Sequence, residues 1–180
     1  MSWGPWRVTE GMRHLTASVL LTRADAKYIS HLDVARVWER ALRRARVPLA
    51  YSHGFNPRPR LFFASALPVG FTGQTEMLDV QLQRRTTPRE FAACLQKELP
   101  SGLCLLSVEE VPSTLPPLPT QVVAAEYEVL VESADLPEMM QERLSNLLAA
   151  ETITRRRERP RKVQVYDLRP LIKKLWLVGR

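Results

Sequence analysis

The segment SHLDVARVWERALRRA, residues 30–45, predicts an amphipathic helix with a clear start. Ser30 suits the N-cap, and Asp33 places an acidic group at the third helical position. Apolar side chains then recur at helical spacing, at Leu32, Ala35, Trp38, Leu42 and Ala45. We therefore expect a helix over about residues 30–46.

Strands are expected on either side of this helix and of a second helix. Pro88 suits the first position of the second helix, and Thr87 with Glu90 forms a capping-box pattern. β-Branched and apolar residues predict a strand at residues 16–22, a short extended segment follows at 48–52, and alternation predicts a strand at 77–82. The second helix is predicted at residues 88–99 and a last strand at 103–111. This strand and helix order predicts an α+β fold, a ferredoxin-like βαββαβ sandwich.

The chain is predicted to contain two folded parts. Residues 1–14 are expected to be a flexible leader, and residues 15–111 form the ferredoxin-like domain. Residues 112–120, with four prolines, are interpreted as a semi-rigid linker. Residues 121–180 are expected to form a partial second unit of similar type, a strand, a helix and a hairpin, with one sheet edge left exposed.

The composition indicates a folded protein without a membrane span. The 180 residues are 45% apolar and carry a formal net charge of +7, whereas disordered chains are poorer in apolar residues. No run approaches the roughly 18 consecutive apolar residues of a spanning helix, and the first residues lack the apolar core of a signal peptide. We therefore expect a cytoplasmic location and no membrane partner.

Metal and nucleotide sites find no support in the sequence. Cys94 and Cys104 lie inside apolar runs, so they are interpreted as small buried residues rather than a disulfide pair or metal ligands. Two widely spaced cysteines cannot ligate an iron–sulfur cluster by themselves, and the sequence contains neither a Walker loop nor a Gly-x-Gly-x-x-Gly motif. The chain alone is expected to bind no metal and no cofactor.

The basic charge is concentrated at the two ends of the sequence. Residues 1–61 and residues 151–180 each carry a net charge of +7, and residues 62–150 carry −7. Of the 26 basic residues 21 are arginine, the side chain best suited to bidentate phosphate contacts. This distribution favours an anionic partner.

The first predicted helix carries a cationic stripe opposite much of its apolar face, formed by Arg36, Arg40, Arg43 and Arg44. Arg58 and Arg60 follow in a loop at residues 52–60, SHGFNPRPR, whose prolines exclude regular structure. Together these arginines are suited to track a phosphate backbone while Tyr51 or Phe55 stacks on a base. The alternative is that the arginines only solvate the helix and that both aromatic residues belong to the core.

The second unit contains another basic cluster. Alternation predicts a strand at residues 123–131 and apolar spacing predicts a helix at residues 136–149, after which two β-rich pieces bracket a basic turn. The cluster at this hairpin tip consists of Arg155, Arg156, Arg157, Arg159, Arg161 and Lys162, with Glu158 as the intervening acid. Such a run is typical of a solvated turn, and also of basic loops that bind RNA phosphates.

Three residues, His31, Asp33 and His53, form the only acid–base set that we identify. A histidine carries a proton near neutral pH, and a nearby carboxylate orients it. Because Asp33 already suits a capping role and the sequence lacks a nucleophile elbow, independent catalysis is the least favoured hypothesis. His31 is otherwise interpreted as a surface residue at the helix start, or as one that hydrogen-bonds into the loop.

Several blocks of the sequence resemble a bacterial family known as radical SAM-associated, or radical SAM-linked, proteins. The blocks are KYISHLD (27–33), YSHGFNPRP (51–59), ALPVG (66–70), EMLDV (76–80) and VYDLRPLI (165–172). The resemblance covers about residues 15–175, and the SHLD and GFNP motifs are its most specific part. From these motifs we expect a specific surface formed by Tyr28, Ser30, His31, Asp33, Ser52, Gly54, Phe55, Asn56 and Pro57.

The resemblance implies an accessory role beside a radical SAM enzyme, in a family catalogued as a domain of unknown function. Members are encoded beside or fused behind a radical SAM protein, often near ribonuclease and ribosomal-protein genes. The leading hypothesis is a non-catalytic partner of that enzyme that binds or presents a structured RNA, ribosomal or transfer RNA. The iron–sulfur cluster and S-adenosylmethionine are then expected only in the partner enzyme.

Two alternatives stay open. The protein is either an adaptor that binds the radical SAM subunit without binding RNA, or a small RNA-processing enzyme built on His31, Asp33 and His53. The chain also ends earlier than members of the family usually do, so the second unit is expected to be incomplete.

Overall fold

The computed structural model describes residues 13–21, 28–112, 115–159 and 162–178, with side chains from residue 28 onward except at Lys162. Two compact units divide between Glu126 and Tyr127. The predicted leader lies almost entirely outside the described residues, as does Arg161.

The first unit is built on a four-stranded sheet. Along the chain its main elements are β1 (Arg13–Leu21), α1 (His31–Arg44), β2 (Leu61–Phe63), β3 (Glu76–Leu82), α2 (Pro88–Leu95) and β4 (Leu103–Val111). The strand order in the sheet is β2-β3-β1-β4, and every neighbouring pair is antiparallel. The α+β class is confirmed, and the more specific ferredoxin-like arrangement stays a prediction.

The core of this unit is formed by one face of each helix and one face of β3. Its buried residues are Trp38, Ala41, Leu42, Leu49, Leu78, Val80, Leu82, Phe91, Leu95 and Leu103. The prediction was wrong for Leu32, which is 67% exposed. The apolar face of α1 is centred on Val34, Trp38 and Ala41 instead, and Leu32 lies outside that face.

The second strand lies later in the chain than predicted. Residues 48–52 contribute only two isolated bridges, Leu49 with Leu82 and Tyr51 with Pro59. The edge of β3 is occupied by β2, in which Leu61 pairs with Val80. Residues 48–50 still bond to the end of β3, where the Ala50 N–H donates to the Gln81 carbonyl (2.8 Å), but the regular ladder along β3 is made by β2, which follows the prolines.

The helix α2 begins as predicted and ends earlier. Thr87 and Glu90 form a complete capping box, with the Glu90 N–H donating to Thr87 Oγ1 (3.2 Å) and the Thr87 N–H donating to Glu90 Oε2 (3.0 Å). The helix ends at Leu95 rather than near residue 99. The Glu98 N–H donates to the Leu95 carbonyl (2.9 Å), a tighter turn than the helix makes.

Both cysteines are exposed, so the prediction that they are buried was wrong. In α2 the inward positions belong to Phe91 and Leu95, and Cys94 lies off that face. In β4 the side chains alternate, and Leu103 takes the inward position before Cys104.

The Pro-rich segment is not only a spacer. Its last residues begin a short helix, α3 (Leu118–Gln121), which lies against β2. Leu118 is buried, so this part of the predicted linker packs onto the first unit. The proline at the first turn of α3 is compatible with a helix because its missing N–H has no helical acceptor there.

The second unit contains α4 (Pro137–Ala149), β5 (Thr154–Arg159) and β6 (Lys162–Asp167), followed by a 3-10 turn (Arg169–Leu171). The predicted helix is confirmed, and β5 and β6 pair antiparallel. The strand predicted at residues 123–131 is absent from the secondary structure of the described chain. Alternation of apolar and polar residues gives an extended segment two different faces, but a strand also requires hydrogen bonds to a neighbouring strand.

Within the described ranges no helix is long and apolar enough to cross a membrane.

Candidate functional site

The start of α1 holds Asp33 in a structural role. The Asp33 N–H donates to Ser30 Oγ (3.2 Å), and the Ser30 hydroxyl donates to Asp33 Oδ2 (2.7 Å). Arg36 Nη1 donates to Asp33 Oδ1 (2.9 Å). The Ser30 hydroxyl, then Arg36, lowers the pKa of Asp33 below its ordinary value. Ser30 and Asp33 therefore cap the helix, as the sequence predicts.

The predicted acid–base set does not assemble. His53 is exposed in the loop, and no hydrogen bond or ring contact joins His31, Asp33 and His53 within the described part of the chain. The His31 ring instead lies edge-on to Phe63, with the ring centroids 5.0 Å apart. His31 and Glu76, the first residue of β3, line the same recess. Burial raises the pKa of Glu76, and the nearby His31 opposes that effect.

Glu76 is the functional candidate that the sequence reasoning missed. It opens the EMLDV block, which was one of the blocks carrying the family resemblance, so a signal was present. Its proximity to His31 depends on the pairing of β2 with β3, which brings Phe63 opposite Leu78. Spacing along the chain does not reveal such a neighbour.

Ion pairs largely neutralise the cationic stripe of α1. Arg36 pairs with Asp33, and Arg43 pairs with Glu39 (2.7 Å). Arg44 reaches the turn after α2, where its Nε donates to Glu98 Oε2 (3.0 Å) and its Nη2 donates to the Glu98 carbonyl (2.6 Å). Arg40 is exposed and has no ion-pair partner among the described residues. Three of the four arginines of the stripe thus make ion pairs on the surface of the first unit.

The GFNP loop projects from a closed base. The Ser52 N–H donates to the Arg58 carbonyl (2.8 Å), and the Arg58 N–H donates to Ser52 Oγ (3.0 Å). At the tip, Gly54 has a φ of +136°, a conformation that other residues rarely adopt. Phe55 is fully exposed, with a relative accessibility of 106%. The interpretation of Phe55 as a core residue was therefore wrong.

The remaining motif residues divide between the base and the surface of this unit. Tyr28, Asn56, Pro57 and Arg58 are exposed. Tyr51 packs partly against the core, and the Arg43 guanidinium lies 5.9 Å from the centre of its ring. Arg60 is only partly exposed, and its Nη1 donates to Gln81 of β3 (3.3 Å). The structure thus brings α1 and the base of the loop together and assigns Arg60 to the sheet.

Four members of the second basic cluster, Arg155, Arg156, Arg157 and Arg159, lie along a strand rather than at a turn, so the hairpin-tip prediction was wrong for them. Strand β5 begins at Thr154, and its arginines pair with residues of β6. Directly opposite residues of an antiparallel pair share a face. One face of the hairpin therefore carries Arg155 opposite Tyr166 and Arg157 opposite Gln164, together with Arg159. We call this the basic face.

The opposite face of the hairpin is different in charge. There Arg156 lies opposite Val165 and Glu158 lies opposite Val163. Arg156 Nη2 and Glu158 Oε1 form an ion pair at 2.9 Å. Among the described residues, Arg155, Arg157 and Arg159 have no ion-pair partner. The positive charge of the cluster is consequently concentrated on the basic face.

Two residues hold the base of the hairpin in place. Asp167 Oδ1 accepts from the backbone N–H groups of Ile153 (2.7 Å) and Arg169 (3.0 Å), and these bonds lower the pKa of Asp167. Arg169 Nη2 donates to the carbonyl of Leu148 near the end of α4 (2.8 Å). Asp167 and Arg169 belong to the VYDLRPLI block, which therefore has a structural role in joining helix and hairpin.

In the part of the chain that the structure describes, no three histidine, cysteine, aspartate or glutamate side chains cluster as metal ligands would. No curated protein matches the sequence. A family model does match it, over residues 21–178. The chain therefore belongs to the family described as uncharacterized proteins conserved in bacteria (DUF2344).

Proposed function

We propose that this protein is a non-catalytic accessory protein of a radical SAM enzyme and that it binds a structured RNA through the basic face of the β5–β6 hairpin. The observation that carries the RNA-binding part is the presence of Arg155, Arg157 and Arg159 on one face beside Tyr166 and Gln164. The radical SAM part rests on the sequence blocks that resemble that family.

Geometry and charge support phosphate binding by the basic face. Alternate residues of a strand lie roughly 6.8 Å apart, so three guanidinium groups form a row along one side of the hairpin. Like charges in such a row repel one another, and an anionic backbone alongside them relieves that repulsion. Arginine also donates several hydrogen bonds in a plane, which suits phosphate oxygens.

The polar neighbours of the row favour RNA over a simple anion. Tyr166, opposite Arg155, offers an aromatic ring for a base or sugar, and Gln164, opposite Arg157, offers both a donor and an acceptor. Structured RNA is recognised mainly through phosphates, 2′-hydroxyl groups and unstacked bases. Such a surface needs no base-specific pocket.

The test is the salt dependence of binding to fluorescein-labelled total transfer RNA, with poly(U) as a single-stranded comparison. Each phosphate contact contributes about 0.7–0.9 to the slope of log affinity against log salt. We expect the triple variant Arg155→Ala, Arg157→Ala, Arg159→Ala to lower that slope by about 2 to 3.

The matched control is Arg156→Ala, which removes an arginine from the same strand but from the opposite face. We expect it to leave the slope nearly unchanged, because Arg156 is already paired with Glu158. The proposal would be refuted if binding did not respond to salt, or if each arginine removed lowered the slope by the same amount in both variants.

One observation favours a second function, that of a protein adaptor. Phe55 is fully exposed at the tip of a loop whose base is closed by hydrogen bonds, as expected for an anchor that enters an apolar pocket of a partner. We expect the neighbouring radical SAM protein to co-purify after nuclease treatment, and Phe55→Ala to abolish this. The exposed Val69→Ala serves as a control. If the Phe55→Ala variant still co-purifies with the radical SAM protein and the triple arginine variant does not, the adaptor function is excluded.

A further inference from the structure

A small recess on the first unit lies between the start of α1 and the start of β3. Its walls include His31, Phe63, Met77 and the buried Trp38, and its volume is about 20 Å³. A space of that size holds about one water-sized group. Ser65 and Met77 are exposed, so the recess opens to solvent. None of these residues takes part in the RNA-binding proposal.

The carboxylate of the recess has no donor. Glu76 is only partly exposed, and within the described residues it makes no hydrogen bond or ion pair. Removing a carboxylate from water without a hydrogen-bond donor is unfavourable. The raised pKa of Glu76 reflects that burial. A cationic group that donates hydrogen bonds would relieve this cost.

The Glu76 side chain occupies space that is free because Gly73 has no side chain. A Cβ atom at Gly73 would lie 2.6 Å from Glu76 Cγ and 2.7 Å from Oε1, closer than real Cβ contacts. The side chain of Glu76 therefore folds over the glycine. Gly73 is not in the left-handed region, so an alanine there needs no unusual φ, and the three atoms nearest to its Cβ would all belong to Glu76.

We propose that this recess binds a primary ammonium group, with Glu76 as its counter-ion and the aromatic rings of Phe63 and Trp38 as part of its wall. Aromatic rings attract cations, and the attraction grows when water is excluded. The recess admits a small ammonium head, whose N–H groups can donate hydrogen bonds to the Glu76 carboxylate.

The nearby helix start does not prevent cation binding. The N-terminus of a helix carries a partial positive charge. In α1 this charge is offset by Asp33 in the first turn, whose carboxylate is ionised at neutral pH because its pKa is lowered.

The experiment is an NMR titration of the full chain, carrying ¹³C-methyl methionine, with n-butylammonium chloride at constant ionic strength. The Met77 methyl group reports on the recess because it forms part of the wall. We expect a saturating shift of the Met77 signal. n-Butanol, which has nearly the same shape without the charge, and tetramethylammonium, which carries the charge but has no N–H to donate to Glu76, are expected to cause none.

Three variants test the role of the carboxylate. Glu76→Gln removes the charge and Gly73→Ala keeps the charge but displaces it, so each is expected to weaken butylammonium binding at least tenfold. Glu109→Gln, an exposed carboxylate on β4, is expected to bind like the wild type. An equal response to butanol in the wild type, or unchanged affinity in the Glu76 variant, would overturn the proposal.

A further arm distinguishes the source of the ammonium group. Nα-acetyl-lysine amide is compared with the same compound acetylated at Nε. Tighter binding of the lysine derivative than of butylammonium indicates a lysine side chain of a partner protein, and tighter binding of butylammonium indicates a free amine. Either result supports an ammonium site, whereas binding of neither cation refutes it. These measurements contain no RNA, so they succeed or fail independently of the RNA-binding proposal.

Discussion

Asp33 and Glu76 are carboxylates near the same helix start whose pKa values shift in opposite directions. Hydrogen bonds from Ser30 and Arg36 stabilise the ionised form of Asp33 and lower its pKa. Burial destabilises the ionised form of Glu76 and raises its pKa, with His31 opposing the effect. The ionised form of Asp33 therefore adds to folding stability above its ordinary pKa, whereas ionised Glu76 reduces stability.

The variant Glu76→Gln is expected to stabilise the protein at neutral pH relative to the wild type. The folded state holds the Glu76 proton more tightly than the unfolded state, so wild-type stability falls as pH rises from the ordinary value of 4.5 through the raised pKa. The difference between the variant and the wild type should be largest near pH 7 and should vanish below about pH 4.

Urea denaturation near pH 7 and below about pH 4 measures this difference, with Glu109→Gln as the exposed control. A stability difference that is the same at both pH values would show that desolvation of Glu76 is not its cause. A loss of stability at neutral pH would mean that the carboxylate makes a favourable interaction in the folded state.

At the scale of elements, the apolar face of α1 determines how the helix packs. Leu32 and Leu42 both lie in the apolar pattern predicted from the sequence, yet Leu42 is fully buried and Leu32 is 67% exposed. Residues at helical spacing form a wide apolar face, and packing of the helix against β3 decides which of these residues are buried. The two leucines thus offer a matched pair for mutation.

We expect Leu42→Ala to reduce the free energy of unfolding by about 2–5 kcal/mol, because it removes a buried side chain and leaves a cavity. Leu32→Ala should change that free energy by about 0.5 kcal/mol or less, since the side chain is mostly in water. Guanidinium denaturation followed by circular dichroism measures both. Equal costs for the two variants would contradict the burial of Leu42.

The element starts were the most predictable features of the structure. The caps at Ser30 and Thr87 use hydrogen bonds to residues three positions away, so the sequence contains both partners. Strand β5 was missed because TRRRER has little of the β-branched and aromatic character of typical strands. Its pairing with the more strand-like β6 specifies the extended conformation.

At the scale of the whole molecule, pairing across the chain decides which charged groups are available. Arg44 and Glu98 are 54 positions apart, and their contact links α1 to the turn after α2. In the second unit, pairing of β5 with β6 places Arg156 on the face opposite Arg155 and Arg157. The fold thus separates the arginines without an ion-pair partner from Arg156, which pairs with Glu158.

The sequence by itself determined the α+β class, the starts of α1 and α2 and the family, because these depend on local periodicity, on hydrogen bonds within one helical turn and on recognisable motifs. Only the tertiary structure decided that Glu76 lies with His31 at one recess, that most of the α1 arginines are paired, and that three hairpin arginines share a face. These features depend on which strands pair and in which register. A shift of one residue moves a strand side chain to the other face, so they are properties of the folded chain.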